Sequence, residues 1–363
     1  MTQRHASLAE HIGQPDNLTL IRLLAAVGVV FGHSFALAMR GHSEQIEPVS
    51  QVLPGTYSGS IAVDAFFLIS GFLITHSLLR RPQIGAFLRA RAMRVLPAFF
   101  TVLLVTVLVF GPLASTLVWG DFLLHPQTRT YLASHACLNL CGFMTWSWSL
   151  PETFSAHANP ALNGSLWSLF LEIKLYLLSA FGVLIYAYRK PRLGALLSCL
   201  AMAAIIYLGA LRSAEKFALT AVFMYGLGAF ARFYADQLKV YFWPVVLSAI
   251  LVYLLRLTPF AHVAYAALIA TSVCYLAYAA QVPRIKLPGD YSYGLFLWSF
   301  PIQQMLAAFQ PELGPYAMFA ASLALSLLFA VPSWHFIEQP ALRWKRARAE
   351  PVPEPRQSQS TAA

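Results

Sequence analysis

Two ionisable side chains in the first long apolar stretch are the first candidates for chemistry. Arg22 and His33 lie 11 positions apart. At 100° per residue this spacing returns to within about 20° of the same helix face, roughly 16 Å along the axis. An ionisable group inside a membrane is costly and is therefore a functional hypothesis by default. Histidine can act as a general base or as a nucleophile, but a lone helical histidine is also often structural, so both interpretations stay open.

A polar stripe in the fourth apolar stretch supplies a carboxylate, Glu172. It shares a helix face with three hydroxyl side chains at helical spacing, namely Ser165, Ser168 and Tyr176. Lys174 points to another face and cannot neutralise Glu172 within the helix. Counted from the helix ends, Glu172 lies about 20 Å and His33 about 22 Å above the inner face, with Asp64 a little higher. We therefore expect His33 and Glu172 to share a level, either as a catalytic pair or as a contact that only joins two helices.

A basic cluster between the second and third apolar stretches is the third feature. Arg91 and Arg94 fall at i and i+3, on one face of an expected helix start. Guanidinium groups bind phosphate oxygens well. Retention of basic residues on the cytoplasmic side also explains most such clusters without any ligand, so a phosphate site and simple anchoring are both open.

The elements that must position these residues are membrane-spanning helices. Hydrophobic residues make up 58% of the 363-residue chain and charged residues 11%, against roughly 45–50% and about 25% in soluble domains. Backbone groups in lipid must bond internally, so apolar stretches of about 20 residues predict helices. The sequence therefore predicts an all-α, polytopic membrane bundle of about ten helices, at 18–39, 61–79, 95–119, 165–187, 194–211, 217–235, 241–255, 261–280, 289–308 and 316–338.

The basic residues indicate the orientation of this bundle. Most of the 25 Lys and Arg residues fall in inner segments when the N-terminus is placed inside, which predicts that both termini are cytoplasmic. The net charge of +10 then reflects topology, and nucleic-acid binding is a poor interpretation. The expected organisation is a cytoplasmic segment 1–17, a membrane domain 18–342 and a disordered basic tail 343–363.

The cysteines and the spacing of possible metal ligands do not indicate a further functional site. Cys199 and Cys274 fall in predicted helices, where a buried thiol is the default. Cys137 and Cys141 fall in an expected outer loop, where a disulfide and two free thiols are equally compatible with the sequence. No His/Cys cluster has a zinc spacing, and we expect no metal.

Four segments in the same order carry a resemblance to a known family. They are Asn17–Ala26 with Gly32–Ser34, Ala62–Ile74, Arg91–Pro97, and Asn163–Leu169 with Glu172 and Tyr176. With looser matches later in the chain, residues 17–343 resemble acyltransferase family 3, membrane proteins that O-acylate sugars of bacterial surface and secreted glycans. The family often has a histidine where this chain has Ser299, so no catalytic role is assigned to that position.

The resemblance implies a membrane O-acyltransferase that moves an acyl group, expected to be acetyl, from cytoplasmic acetyl-CoA to a hydroxyl of an exported carbohydrate or glycolipid. It also implies a location in the bacterial inner membrane. The chain would either complete the transfer alone or pass the acyl group to a separate periplasmic transferase.

The resemblance also implies roles for individual residues. His33 would be the general base or the nucleophile, and Glu172 would orient its imidazole, as a carboxylate does in hydrolytic triads. The CoA phosphates would be held by three guanidinium groups, those of Arg91, Arg94 and Arg22. Four further residues would contact or support the substrate: Asp64, Ser165, Trp167 and Ser168.

A transporter or flippase of lipid-linked sugars is the alternative, because such proteins also carry polar residues at the membrane midplane. The sequence shows no inverted halves and no matching pair of broken helices. A flippase would also work without acyl-CoA, so donor dependence separates the two functions.

Overall fold

The computed structural model describes residues 7–38, 46–80, 83–140, 147–154, 157, 160–182, 213–258 and 260–347. In these segments the fold is helical, with two isolated bridges and no β-strand, which confirms the all-α prediction. Nine helices of 13 residues or more are numbered in chain order: α1 Leu18–Leu37, α2 Ser58–Arg80, α3 Ile84–Val105, α4 Leu166–Ala180, α5 Ser213–Phe233, α6 Trp243–Leu255, α7 Ala261–Tyr278, α8 Ser292–Phe309 and α9 Pro315–Pro332.

Each of these helices coincides with one of the predicted apolar stretches, and the remaining stretch, 194–211, lies outside the described residues. Five segments are long and apolar enough to cross a membrane: Leu18–Leu37, Ser58–Arg80, Ile84–Ala114, Ala261–Tyr278 and Pro315–Trp344. The chain is therefore a helical membrane protein. The full count of about ten helices and the cytoplasmic position of the termini stay predictions.

One helix starts well before its predicted bound, and two helices continue through π-helical turns. The predicted third stretch starts at residue 95, whereas α3 begins at Ile84 and continues through a π-helical turn, Thr106–Phe110. After α9, a second π-helical turn, Ser333–Glu338, follows Pro332. Single π turns inside α-helices occur frequently at functional sites. As a consequence, Arg91 and Arg94 lie inside α3 rather than at its start.

The connection between α3 and α4 contains two short helices, Trp119–Leu124 and Pro126–Ala136. Cys137, just after the second of them, is disulfide-bonded. Cys274 on α7 is a free thiol. Cys141 and Cys199 lie outside the described residues.

Helices α1 and α2 pack closely and antiparallel through small residues. A methyl group at Gly32 would lie 2.8 Å from the Gly59 nitrogen, and one at Gly28 would lie 3.4 Å from Ala62 Cβ. Such close approach through small residues is typical of helix packing in membranes. The pairing also sets a common register, because residue numbers rise along α1 as they fall along α2. Arg22 is therefore near the level of Ser70 in α2.

Candidate active site

Arg22 and Arg94 share one carboxylate. Asp290 Oδ2 accepts a hydrogen bond from Arg22 at 2.8 Å and from Arg94 at 2.7 Å. The second terminal nitrogen of Arg94 reaches Glu338 Oε2 at 3.0 Å, and Ser292 Oγ donates to Asp290 Oδ1 at 2.6 Å. The structure thus brings together two of the three predicted phosphate-binding arginines, which come from α1 and α3.

Asp290 and Glu338 were not predicted as site residues. Asp290 lies just before α8, and Glu338 ends the second π turn. Burial raises the pKa of Asp290, but Coulombic attraction to Arg22 and Arg94 and the hydrogen bonds from Ser292 outweigh it and hold that pKa below its ordinary value. The position of Asp290 within the ninth predicted apolar stretch, 289–308, was the one signal in the sequence.

Arg91 lies one turn from Arg94 but has a different environment. Its Nε is buried and has no hydrogen-bond partner. Its guanidinium group lies 5.8 Å from the ring centre of Phe87 and 6.0 Å from that of Tyr176. Among the described residues, no carboxylate forms an ion pair with it. Arg91 is therefore the guanidinium in this group best suited to an anionic ligand.

Glu172 lies at the same end of the bundle as the arginines. Its Oε1 accepts hydrogen bonds from Ser70 Oγ and from Tyr176 OH at 2.6 Å. A cavity of about 50 Å³ opens beside it between α1, α2, α4 and α8. This cavity is lined by Arg22, Val63, Phe66, Phe67, Ser70, Ser168, Leu169, Glu172, Tyr293 and Phe296.

His33 lies farther along α1, against Phe300 of α8. The two rings meet edge to face, with their centres 5.1 Å apart. Its Nδ1 is buried and has no hydrogen-bond partner. An unpartnered buried ring nitrogen is rare in folded proteins and needs an explanation. Among the described residues, nothing occupies this nitrogen, which leaves it available to a ligand.

His33 and Glu172 are not hydrogen-bonded to each other and lie at different levels. Phe300 contacts His33 and also packs against Gly164, where an added methyl group would lie 2.7 Å from the Phe300 ring. His33 is therefore level with the start of α4. Glu172 lies eight residues beyond Gly164, which is about 12 Å farther along the helix axis, toward the arginines. The expected shared level placed the start of α4 at the outer face, well above His33, whereas the structure places that start level with His33.

The residues before α4 anchor its N-terminal end to α8. Asn163 Nδ2 donates to the Leu297 carbonyl at 3.1 Å, and Ser165 Oγ donates to Asn163 Oδ1 at 2.7 Å. Ser168 Oγ donates to the Ser165 carbonyl at 3.2 Å. Asn163 and Ser165 thus fix the end of α4 that lies level with His33, and Ser168 lines the cavity.

The two other residues predicted to contact or support the substrate, Asp64 and Trp167, contact neighbouring helices and the hydrophobic core. Asp64 is buried in α2 and accepts a hydrogen bond from Tyr265 OH of α7 at 2.9 Å, which ties two helices together. Trp167 is half-buried and packs on the main hydrophobic core. Within the described segments, no group of three or more His, Cys, Asp or Glu side chains is arranged to hold a metal ion.

This bundle, with an arginine-rich end, a narrow cavity and an unpartnered histidine beyond it, has the features of a membrane-embedded acyltransferase. The acyltransferase domain family matches residues 16–335, and the chain belongs to that family. It is an O-acyltransferase, and the resemblance seen in its motifs is confirmed.

Two curated relatives match along nearly their whole length. The chain is similar to an O-acetyl transferase of Shigella phage Sf6, with 26% identity over 332 residues, 88% of this chain and 93% of the relative. It is also similar to Nodulation protein 10 of Rhizobium leguminosarum bv. viciae, with 26% identity over 366 residues, 91% of this chain and 94% of the relative. No solved structure matches the chain.

Proposed function

We propose that this enzyme moves an acyl group, in the simplest case acetyl, from acyl-CoA bound at the cytoplasmic side to a hydroxyl of an exported carbohydrate or glycolipid. The observation that carries the proposal is the order of features along α1. Arg22 lines the cavity at one end, and His33 lies 11 residues farther on, about 16 Å along the helix. The proposed location is the bacterial inner membrane.

The donor is assigned to the arginine-rich end. Acetyl-CoA carries phosphate groups, and guanidinium groups bind phosphate oxygens through several directed hydrogen bonds. Arg91 has a buried Nε without a partner, which fits an anionic ligand. Arg22 and Arg94 are already bound to Asp290, so we assign them to the wall of this site, where they add positive charge.

The cavity beside Glu172 is the proposed path for the acyl-bearing arm of the donor. Its walls combine three aromatic rings, Phe66, Phe67 and Phe296, with polar groups that include Ser168. Phe296 is one helical turn from Phe300, which contacts His33. Glu172 lies at the donor end of this path, where its charge balances the nearby arginines, and we no longer assign it to orienting the imidazole.

His33 is the proposed centre of acyl transfer, by one of two routes. As a general base, it takes the proton of the acceptor hydroxyl while the oxygen attacks the thioester carbonyl, and the thiolate leaves and is protonated. As a nucleophile, its nitrogen first accepts the acyl group from the thioester, and the acceptor hydroxyl then takes it from the imidazole. Both routes need a ring nitrogen that has no fixed hydrogen-bond partner, and His33 Nδ1 meets this requirement.

The name of the phage relative, O-acetyl transferase, supports acetyl as the transferred group. The acceptor class rests on the family resemblance of the sequence motifs. In the proposed reaction, this chain completes the transfer itself, without a separate periplasmic transferase.

Labelled acetyl-CoA tests the proposal. Membranes that contain the wild-type protein, the His33→Ala variant or no protein are incubated with [¹⁴C]acetyl-CoA, and alkali-labile label in the carbohydrate fraction is counted. We expect labelling with the wild type and a loss of at least about 100-fold in His33→Ala, the usual size of a general-base contribution. His11→Ala serves as the control, because His11 lies in a short helix, Leu8–His11, outside the cavity. Equal labelling by His33→Ala and the wild type, at equal membrane abundance, contradicts the proposal.

A further inference from the structure

We propose that His157, held by Gln304, binds a hydroxyl of the acceptor carbohydrate on the side of His33 away from the donor. This inference rests on the proposed acyl transfer and adds the acceptor subsite to it. His157 belongs to the connection that precedes α4, and Gln304 belongs to α8. Neither residue was singled out in the sequence.

The position of Gln304 places His157 beyond His33. Gln304 follows Phe300 by four residues on α8, so both side chains lie on nearly the same helix face, about 6 Å apart along the axis. Phe300 contacts His33. Residue numbers along α8 rise away from Asp290 and the arginines, so His157 lies about one helical turn farther from the donor end than the His33–Phe300 contact.

The hydrogen bonds of Gln304 fix the proton position on His157. Gln304 Nε2 donates to the Ala161 carbonyl at 2.7 Å, which sets the orientation of the amide. Gln304 Oε1 must then accept, so the 2.8 Å contact with His157 Nδ1 requires a proton on Nδ1. In the neutral imidazole, the lone pair is consequently on Nε2. No hydrogen bond from another described residue reaches that nitrogen.

The surroundings hold this imidazole firmly. Gln304 is fully buried, and Phe154 stacks on the His157 ring with centres 4.9 Å apart and planes 27° apart. Phe154 has a φ of +52°, in the left-handed region that non-glycine residues adopt at a cost. Strained backbone of this kind is often found where a side chain must be held for function. A half-buried imidazole with its lone pair available is suited to accept a hydrogen bond from a sugar hydroxyl.

The neighbouring residue on α8 links the same region to His33. Gln303 Nε2 donates to the Val30 carbonyl and to Ser34 Oγ, each at 2.8 Å. These two positions flank His33 on α1, so α8 positions both His33 and His157. A hydroxyl bound at His157 therefore has a fixed position relative to the imidazole of His33.

Steady-state kinetics with both substrates varied test this subsite. The acceptor probe is surface polysaccharide of the producing cells, de-O-acetylated with alkali, and the donor is [¹⁴C]acetyl-CoA. We expect His157→Ala to raise the KM for this polysaccharide about tenfold, the effect of one lost hydrogen bond to a buried polar group. The KM for acetyl-CoA and its Kd, measured by filter binding, should not change.

A matched control comes from the same outer connection. His125 caps the helix Pro126–Ala136 by accepting from the Gln127 backbone nitrogen, and His125→Asn keeps that capping ability. We expect both KM values of this variant to equal those of the wild type. An unchanged acceptor KM in His157→Ala overturns the inference, as does a parallel loss of donor binding, which would mark a structural role. A wild-type protein that transfers no label from acetyl-CoA overturns the proposed function itself, and so the two failures are distinguishable.

Discussion

Asp290 holds together the arginine-rich end of the site. One of its oxygens accepts from Arg22 and Arg94, and the other accepts from Ser292. The side chains of Arg22, Arg94 and Asp290 are 14% to 24% exposed, so their charges are only partly solvated. Removal of this carboxylate would leave two neighbouring guanidinium groups without their shared counter-charge, which is strongly unfavourable in a partly buried site.

We therefore expect Asp290→Asn to lower the free energy of unfolding by about 2–3 kcal/mol at neutral pH. The matched control is Asp236→Asn, because Asp236 is exposed and surface charges contribute little. Thermal unfolding in detergent, followed by circular dichroism, measures both variants. A loss of stability equal to that of the control contradicts the structural role of Asp290.

The Asp290→Asn variant should also change how the free energy of unfolding depends on pH. The pKa of Asp290 is lower in the folded protein than its ordinary value of 3.8, so its stabilisation is fully present above about pH 4 and is lost as the pH falls through the folded pKa. The wild type should lose stability on acidification below about pH 4, and Asp290→Asn should lack this component. A parallel acid profile for the two proteins contradicts the assigned ion pairs.

At the residue scale, the sequence predicted the basic half of the site better than the acidic half. Arg22 stands out because charges in apolar segments are rare, and Arg91 and Arg94 stand out because their spacing places them on one helix face. Their carboxylate partners are not visible locally, since Arg22 and Asp290 are 268 positions apart and Arg94 and Glu338 are 244 apart. Only packing of α1, α3 and the segments around α8 and α9 brings them together.

At the element scale, the packing of α2 against α5 depends on two glycines. A methyl group at Gly71 would overlap the Tyr225 carbonyl, and one at Gly228 would overlap the Leu68 carbonyl. Backbones can approach this closely only where side chains are absent. Because α2 also carries Asp64 and Ser70, this contact helps to set the wall of the cavity.

Gly228→Ala should therefore destabilise the protein by at least about 1–3 kcal/mol through overpacking. Gly226 lies on the same helix and has no atom within 4 Å of an added methyl group. Gly226→Ala should be neutral or stabilising by up to about 1 kcal/mol, because alanine favours the helix. The melting temperatures of the two variants in the same detergent provide the comparison, and equal values contradict the proposed packing.

Helix type and approximate place were predictable from apolar stretches, whereas helix ends were not. The polar first half of α3, with its arginines, carries no apolar pattern, so the sequence placed the helix start too late. The depth estimate for Glu172 was wrong for a related reason. It took the start of α4 to lie at the outer face, whereas packing against α8 puts that start level with His33.

At the scale of the whole molecule, the site is arranged along the bundle axis. Arg22, Arg91 and Arg94 mark one end, the cavity beside Glu172 follows, and His33 lies beyond it. The composition and apolar stretches predicted a polytopic helical protein, and the described helices agree with nine of those stretches. The direction of the site across the membrane rests on the distribution of basic residues, and so it is open to direct measurement.

The most direct test of the account is the sidedness of acyl transfer. Membrane vesicles of defined orientation, inside-out or right-side-out, contain the wild-type protein or His33→Ala. Acetyl-CoA labelled with ¹⁴C, which does not cross membranes, is added outside the vesicles. We expect label to enter the carbohydrate only in inside-out vesicles, where the cytoplasmic face is accessible, and only with His33 present. Label that enters right-side-out vesicles equally well, or that does not depend on His33, contradicts transfer from a cytoplasmic donor through this site.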